Sequence, residues 1–129
     1  MSLVTVDAVL VVQVLENLLD NACKYSVPAS PIIISAYASN NQIEVAVWDW
    51  EIGIPTTALE RIFDKFYRVQ RQEIIAGTGL GLSICKGIIE AYGGQIWAAN
   101  NPDHGIKITF SLPVHLEGLE WTTTISTAY

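Results

Sequence analysis

Two alternating runs meet at a pair of asparagines, and that junction constrains the fold more than any other feature of the chain. Residues 31–38 (PIIISAYA) and 42–49 (QIEVAVWD) flank Asn40-Asn41. Period-two alternation rich in β-branched residues reads as strand, and the Asn pair is a turn signal. The segment therefore predicts an antiparallel hairpin. A second pair of strands is expected at about 95–100 and 106–112, joined by a turn through Pro102 and Gly105 and ended by Pro113. Strands that come in adjacent pairs make a mostly antiparallel or mixed sheet, and the helices between the pairs must then cover one face.

The helices are legible from their spacing. From about Asp7, a plausible N-cap, to Tyr25, apolar residues recur at Val11, Leu15, Leu18 and Ala22, and Pro28 and Pro31 end the run. Thr56 or Thr57 caps a short helix reaching about Phe63. Residues 64–79 have no clear period and include the charged stretch Arg68 to Glu73. A connection that long in a compact domain is often a functional lid. A second strong helix is expected from about Leu80 to Tyr92, stopped by Gly93-Gly94. The expectation is an α+β fold: a two-layer α/β sandwich with a mixed, mostly antiparallel sheet covered on one face by about three helices. The domain is expected over 1–113. The tail 114–129 has no firm pattern, and its Thr/Ser cluster 122–127 reads as strand or as disorder.

Composition narrows the function classes. The 129 residues amount to one domain, and half of them are apolar. A net charge of −6 makes the chain a poor general binder of nucleic acid or anionic lipid, though a nucleotide needs only a few well-placed donors. No run reaches the ~18 apolar residues of a membrane span, and no signal peptide opens the chain. Cys23 and Cys85 lie in apolar helical stretches without metal-ligand spacing, which reads as two buried thiols in a reducing compartment. With only His104 and His115 beside them, a structural zinc site is not expected.

Four features carry possible chemistry. Gln13, Asn17 and Asn21 stack at i, i+4 and i+8 on one helix face, flanked by Asp20 and Lys24. Asn is a mediocre helix former, so the stripe is either a solvated face or a set of neutral oxygens for a hard cation such as Mg²⁺, with Lys24 reaching a phosphate. Asp49 ends an apolar strand before Gly53-Ile54-Pro55. It is either an ordinary turn residue or the acceptor for a buried donor such as an adenine amine, with Gly53 letting the backbone approach the base. Gly77-Thr78-Gly79-Leu80-Gly81 leads straight into a helix, as a lid hinge and as an anion cradle of backbone N–H groups. It fits neither the dinucleotide fingerprint nor a Walker A loop. Phe63 and Phe66 are spaced to pack a helix end, leaving Arg68 free to donate to a γ-phosphate.

Each signal alone is modest; their order and spacing are not. Asn17-x-x-x-Asn21-Ala22-x-Lys24-Tyr25-Ser26, then Asp49…Gly53-Ile54-Pro55, then Phe63-x-x-Phe66, then Gly77-Thr78-Gly79-Leu80-Gly81-Leu82, resembles the N, G1, F and G2 boxes of the sensor histidine kinase ATP-binding domain, a relative of gyrase B, Hsp90 and MutL. The resemblance covers about residues 4–113. The stretch from Arg61 to Asp103 is most similar to the potassium-responsive, KdpD-type branch, although Asn101 stands where Arg is common there.

The resemblance implies a set of roles. Asn17 would carry Mg²⁺, Asn21 would lie along the ribose and phosphates, Lys24 would contact phosphate, and Tyr25 would border the nucleotide. Asp49 would receive the adenine amine, with Gly53 and Ile54 lining the base. Gly77, Thr78, Gly79, Leu80, Gly81 and Leu82 would form the lid hinge and phosphate cradle, with Arg68 on the γ-phosphate. Asn17, Lys24 and Arg68 are the expected catalytic set.

It also implies ATP and Mg²⁺ as cofactors and a phosphoacceptor His on a separate helical dimerisation domain that this chain does not contain. A response regulator would be reached through that domain, and the isolated piece would be a monomer. The expected setting is the cytoplasmic part of a membrane-anchored bacterial or archaeal sensor kinase.

One position separates members of the family, and Glu51, Trp50 and Ile108 depart from its pattern. ATP-hydrolysing relatives place a Glu four residues before the first Asn; Gln13 stands here, and a neutral amide cannot take a proton from water. Glu16 lies about 100° away around the helix. This favours delivery of the phosphoryl group to another nucleophile over hydrolysis. Glu51 replaces the first Gly of the G1 box, which costs about 1 kcal/mol or more if that position needs φ > 0. The competing readings are a stand-alone ATPase or serine kinase on the same fold, and a degenerate module that binds a partner and no nucleotide.

Overall fold

The computed structural model describes residues 8–25, 31–39, 41–49, 59, 61–64, 81–100, 105–113 and 121–128. The elements are α1 (Ala8–Tyr25), β1 (Pro31–Ser39), β2 (Gln42–Trp48), a 3₁₀ turn (Arg61–Phe63), α2 (Gly81–Ala91), β3 (Gln95–Asn100), β4 (Ile106–Pro113) and β5 (Trp121–Ala128). The strands form one sheet in the order β3-β4-β2-β1-β5, and every pairing is antiparallel.

The hairpin forms as the alternation predicts. Ser39 pairs with Gln42, and Asn41 stands in the turn between them. Asn41 has φ 59°, a left-handed conformation that Asn tolerates better than most residues. Ile32, Ile34, Val45 and Val47 from this hairpin join Ile106, Ile108, Phe110 and Leu112 of β4 in the core. On the sheet's other face Trp97, Thr109, Ala46, Ser35 and Thr124 stand in one row across all five strands. In a neighbouring row the Lys107 ammonium lies 5.9 Å from the Trp48 ring centre.

The helix layer covers the first of these faces. Val14, Leu18 and Ala22 are buried at i, i+4, i+8 on α1, with Val11, Leu15 and Leu19 half-buried beside them. On α2 the buried pair is Cys85 and Ile89. The helix ends in a Schellman arrangement: Gly94 N–H donates to the Ile89 carbonyl at 2.9 Å and Gly93 N–H to the Glu90 carbonyl at 3.0 Å. Gly93 takes the left-handed conformation this requires, at φ 79°.

Two expectations are refined. Of the helix expected to reach Phe63, the described part is a single 3₁₀ turn whose Ile62 and Phe63 are buried in the core. So Phe63 packs; Phe66 lies outside the described residues. The Thr/Ser cluster of the expected tail, left open between strand and disorder, is strand β5, paired with β1 from Pro31↔Ala128 to Ala38↔Trp121.

Candidate functional site

The described candidates stand on three elements: Asn17 and Asn21 on α1, Asp49 just after β2, and Gly81 and Leu82 at the start of α2. Asn17 and Asn21 lie on α1, both half-buried, while Gln13 is exposed at the start of the stripe. The stripe runs beside the buried Val14–Leu18–Ala22 line, so the two asparagines sit at the margin of the core instead of on a solvated face. Glu16 and Asp20 are exposed. Lys24 and Tyr25 occupy the last turn of α1, and their side chains lie outside the described residues.

Asp49 follows β2 and is only 4% exposed. Its position is fixed by β4: Asp49 N–H donates to the Ile106 carbonyl at 3.1 Å, and Ile106 N–H donates to Asp49 Oδ1 at 3.3 Å. A turn aspartate has no need of burial, since water satisfies it. Taking a carboxylate out of water is costly unless it is hydrogen-bonded. This pair of bonds also aims the carboxylate, because the backbone it grips belongs to a strand paired with both β2 and β3.

Gly81 opens α2, exposed and with nothing within 4 Å of where a Cβ would stand, while Leu82 packs against the core. Gly53, Ile54, Arg68, Gly77, Thr78, Gly79 and Leu80 lie outside the described residues, as do Glu51, Cys23, His104 and His115 apart from the backbone of Cys23 in α1.

One further residue, read from sequence only as a buried thiol, packs against α1. Cys85, on α2, is fully buried, and its thiol donates to the Val14 carbonyl at 3.7 Å. Burial pushes the Cys85 thiol up to about 11, a rise that the nearby Asn17 side chain partly opposes. Only the pairing of Cys85 with Ile89 on the buried face hinted that this thiol points toward α1.

The donor set suits Mg²⁺ carried by a nucleotide better than a metal held by protein alone. Among the described residues no three His, Cys, Asp or Glu side chains cluster as metal ligands. Mg²⁺ takes one or two protein oxygens and fills the rest of its octahedron from phosphates and water, and the Asn17 amide oxygen matches that demand. A separate cavity of about 340 Å³, lined by Lys86, Glu90, Gly94, Gln95, Ile96 and Trp97, shares no residue with this set.

The family described as Histidine kinase-, DNA gyrase B-, and HSP90-like ATPase matches residues 6–116. The adaptive-response sensory kinase SasA of Trichormus variabilis is 44% identical over 104 residues, which cover 80% of this chain and 26% of the relative. The sensor protein KdpD of Escherichia coli is 39% identical over 113 residues, covering 88% of this chain and 13% of the relative. The chain thus spans about a quarter or less of these relatives' length.

Among solved structures, a mycobacterial sensor histidine kinase, MprB, superposes with a TM-score of 0.79 at 29% identity, covering 85% of this chain and 76% of that one. Full-length ShkA in complex with AMPPNP superposes with a TM-score of 0.71 at 27% identity, covering 85% of this chain and 22% of that one.

Proposed function

From the premise that this chain belongs to the histidine kinase-, DNA gyrase B- and HSP90-like ATPase family, as a histidine kinase ATP-binding domain of two-component signalling, we propose that it binds Mg-ATP and presents the γ-phosphoryl group to a histidine on another domain. The observation that carries this reading is Asp49. A carboxylate buried to 4% exposure and gripped by the backbone of a central strand is poised as an acceptor for an adenine amine.

The remaining roles follow the same division of labour. Asn17 supplies an oxygen to Mg²⁺ and Asn21 lies along the ribose and phosphates. Lys24 and Arg68 neutralise phosphate charge, and Tyr25, Gly53 and Ile54 border the base. Gly77, Thr78, Gly79, Leu80, Gly81 and Leu82 form the lid hinge at the start of α2. When bound, the cation neutralises charge on the β- and γ-phosphates; what this chain does is hold and orient, which is most of what phosphoryl transfer requires. Exposed Gln13 offers no base for water, which supports transfer over hydrolysis.

The acceptor histidine belongs to a helical dimerisation domain, with a response regulator as the onward acceptor. The nucleotide-binding residues are assigned within 1–113, and β5 (Trp121–Ala128) completes the sheet that carries them. No described helix is long and apolar enough to cross a membrane, and the setting proposed for the unit is the cytoplasmic side of a membrane-anchored sensor. Potassium or osmotic sensing of the KdpD type is the finer reading; the stretch 61–103 supports it.

Calorimetric titration with AMPPNP and Mg²⁺ tests the core of this reading. Saturable binding is expected, weakened about 10- to 100-fold by Asp49→Asn, the loss associated with a hydrogen bond to a charged acceptor. Equal affinity in the two proteins would refute the assignment of adenine to Asp49.

A further inference from the structure

Strand β3 closes one edge of the sheet. It pairs with β4 without a break from Gln95↔Ser111 to Asn100↔Ile106, and among the described residues nothing pairs with its other side. Alternate N–H and C=O groups along it therefore point away from the sheet. Edges of this kind are ordinarily blunted by lysine, proline or a bulge. The sequence QIWAAN has none of these, and Gln95, Trp97, Ala99 and Asn100 are exposed. Beside this edge runs the cavity of about 340 Å³, walled by Lys86 and Glu90 of α2, by Gly94, and by Gln95, Ile96 and Trp97 of β3.

The groove carries its charges in order. Exposed Glu90 lies next to the turn that joins α2 to β3, and half-buried Lys86 stands four residues further from that turn. Among the described residues neither forms an ion pair, and lysine N-terminal to glutamate is the less favourable order for pairing along a helix. Four helical residues rise about 6 Å, and two strand residues rise about 6.6 Å. An extended segment laid along β3 thus brings side chains i and i+2 level with Lys86 and Glu90. Every pairing in this sheet is antiparallel. A segment added in that sense runs toward the turn and passes Lys86 before Glu90. We propose that the α2–β3 groove binds an extended peptide by strand addition, and that the peptide carries an acidic, an apolar and a basic residue in that order. The acid meets Lys86 and the base meets Glu90. The apolar side chain, on the other face of the added strand, lies against Trp97, which is 39% exposed. None of these residues belongs to the nucleotide set, so the two sites are tested separately.

The experiment is NMR titration of the isotope-labelled chain with the capped peptide Thr-Val-Glu-Val-Lys-Val-Thr and with its charge-reversed counterpart, Thr-Val-Lys-Val-Glu-Val-Thr. The first peptide is expected to shift the amides of β3 and those of α2 around Lys86 and Glu90, and to slow hydrogen exchange at the outward amides of β3. It should bind about three- to tenfold more tightly than the second, as two surface ion pairs allow. The double variant Lys86→Glu with Glu90→Lys is expected to prefer the second peptide, with its affinity for AMPPNP unchanged.

Failure of both peptides to bind overturns the groove as a docking site. Binding without slowed exchange in β3 overturns strand addition. Equal affinity of the wild type for the two peptides, or a double variant that keeps the wild-type preference, overturns the roles of Lys86 and Glu90. A dimer in sedimentation, with the β3 amides broadened in the absence of peptide, would make the occupant a second copy of this chain and overturn the peptide. Should the double variant not fold, the two peptides on the unmutated protein still decide.

Discussion

Gly94 lies directly against the backbone of Ser111, and replacing it with Ala should be a damaging change for its size. A Cβ placed there overlaps the Ser111 carbonyl oxygen and comes within 3.0 Å of Ile89 Cγ2 and 3.1 Å of the Ser111 carbonyl carbon. Neither neighbour can give way: Ser111 is in β4, paired on both sides, and Ile89 is fully buried. The glycine itself must move. That movement breaks the 2.9 Å bond to the Ile89 carbonyl and disturbs the Gln95–Ser111 pair that starts β3. Overpacking costs about 1–3 kcal/mol and the lost bond about 1 kcal/mol, so about 2–4 kcal/mol is expected.

Two other glycines calibrate this. Gly93→Ala meets only Pro113 Cγ at 3.7 Å and should cost about 1–2 kcal/mol, through its positive φ alone. Gly87→Ala, exposed within α2 with nothing in the way, should gain about 0.5–1 kcal/mol. In urea, with a slope of about 2 kcal/mol/M, Gly94→Ala should lower the midpoint by about 1–2 M. Gly93→Ala should lower it by less, and Gly87→Ala should raise it. Equal midpoints for Gly94→Ala and Gly93→Ala would refute the close-approach argument.

Two further outcomes follow from described contacts. Burial raises the Cys85 thiol from 9.0 to about 11, so the folded chain holds that proton more tightly than the unfolded one. Its contribution is complete below pH 9 and is lost as pH climbs to 11, by about 2–3 kcal/mol. Denaturant midpoints across that window should fall less steeply in Cys85→Ser, and an unchanged slope would contradict it. Truncation after residue 116 removes eight cross-strand pairs with β1, at about 0.2–1 kcal/mol each. Stability should drop by about 2–8 kcal/mol; an unaltered urea midpoint would show that β5 does not support the sheet.

What was legible in the chain was what is local. The alternation on either side of Asn40-Asn41 dictates the hairpin, and Gly93-Gly94 dictates the end of α2, because each needs only its neighbours. The asparagine face of α1 was visible for the same reason: i, i+4 spacing is a property of one helix. The site's supports were not visible. Nothing near Asp49 in sequence names Ile106 as the group that grips it, and nothing near Val14 names Cys85. Strand β5 was ambiguous because WTTTISTA lacks alternating apolar residues; its backbone is drawn into a strand by the ladder that β1 offers, which is a tertiary effect. Of the helix expected before Phe63, the described part is a 3₁₀ turn that buries Ile62 and Phe63 together.

The pairing of β1 with β5 has a consequence for how the protein is made. β1 finds β2 as soon as the hairpin clears the ribosome, but its other edge waits for Trp121–Ala128, the last strand of the sheet to be synthesised. At about 5–20 residues per second that wait lasts several seconds. Throughout it, an apolar strand with Ile32, Ile33 and Ile34 in succession presents unpaired amides to any neighbouring nascent chain. Slow codons between the hairpin and β5 should therefore lower the yield of folded protein by favouring aggregation, while codons beyond β5 should leave it unchanged.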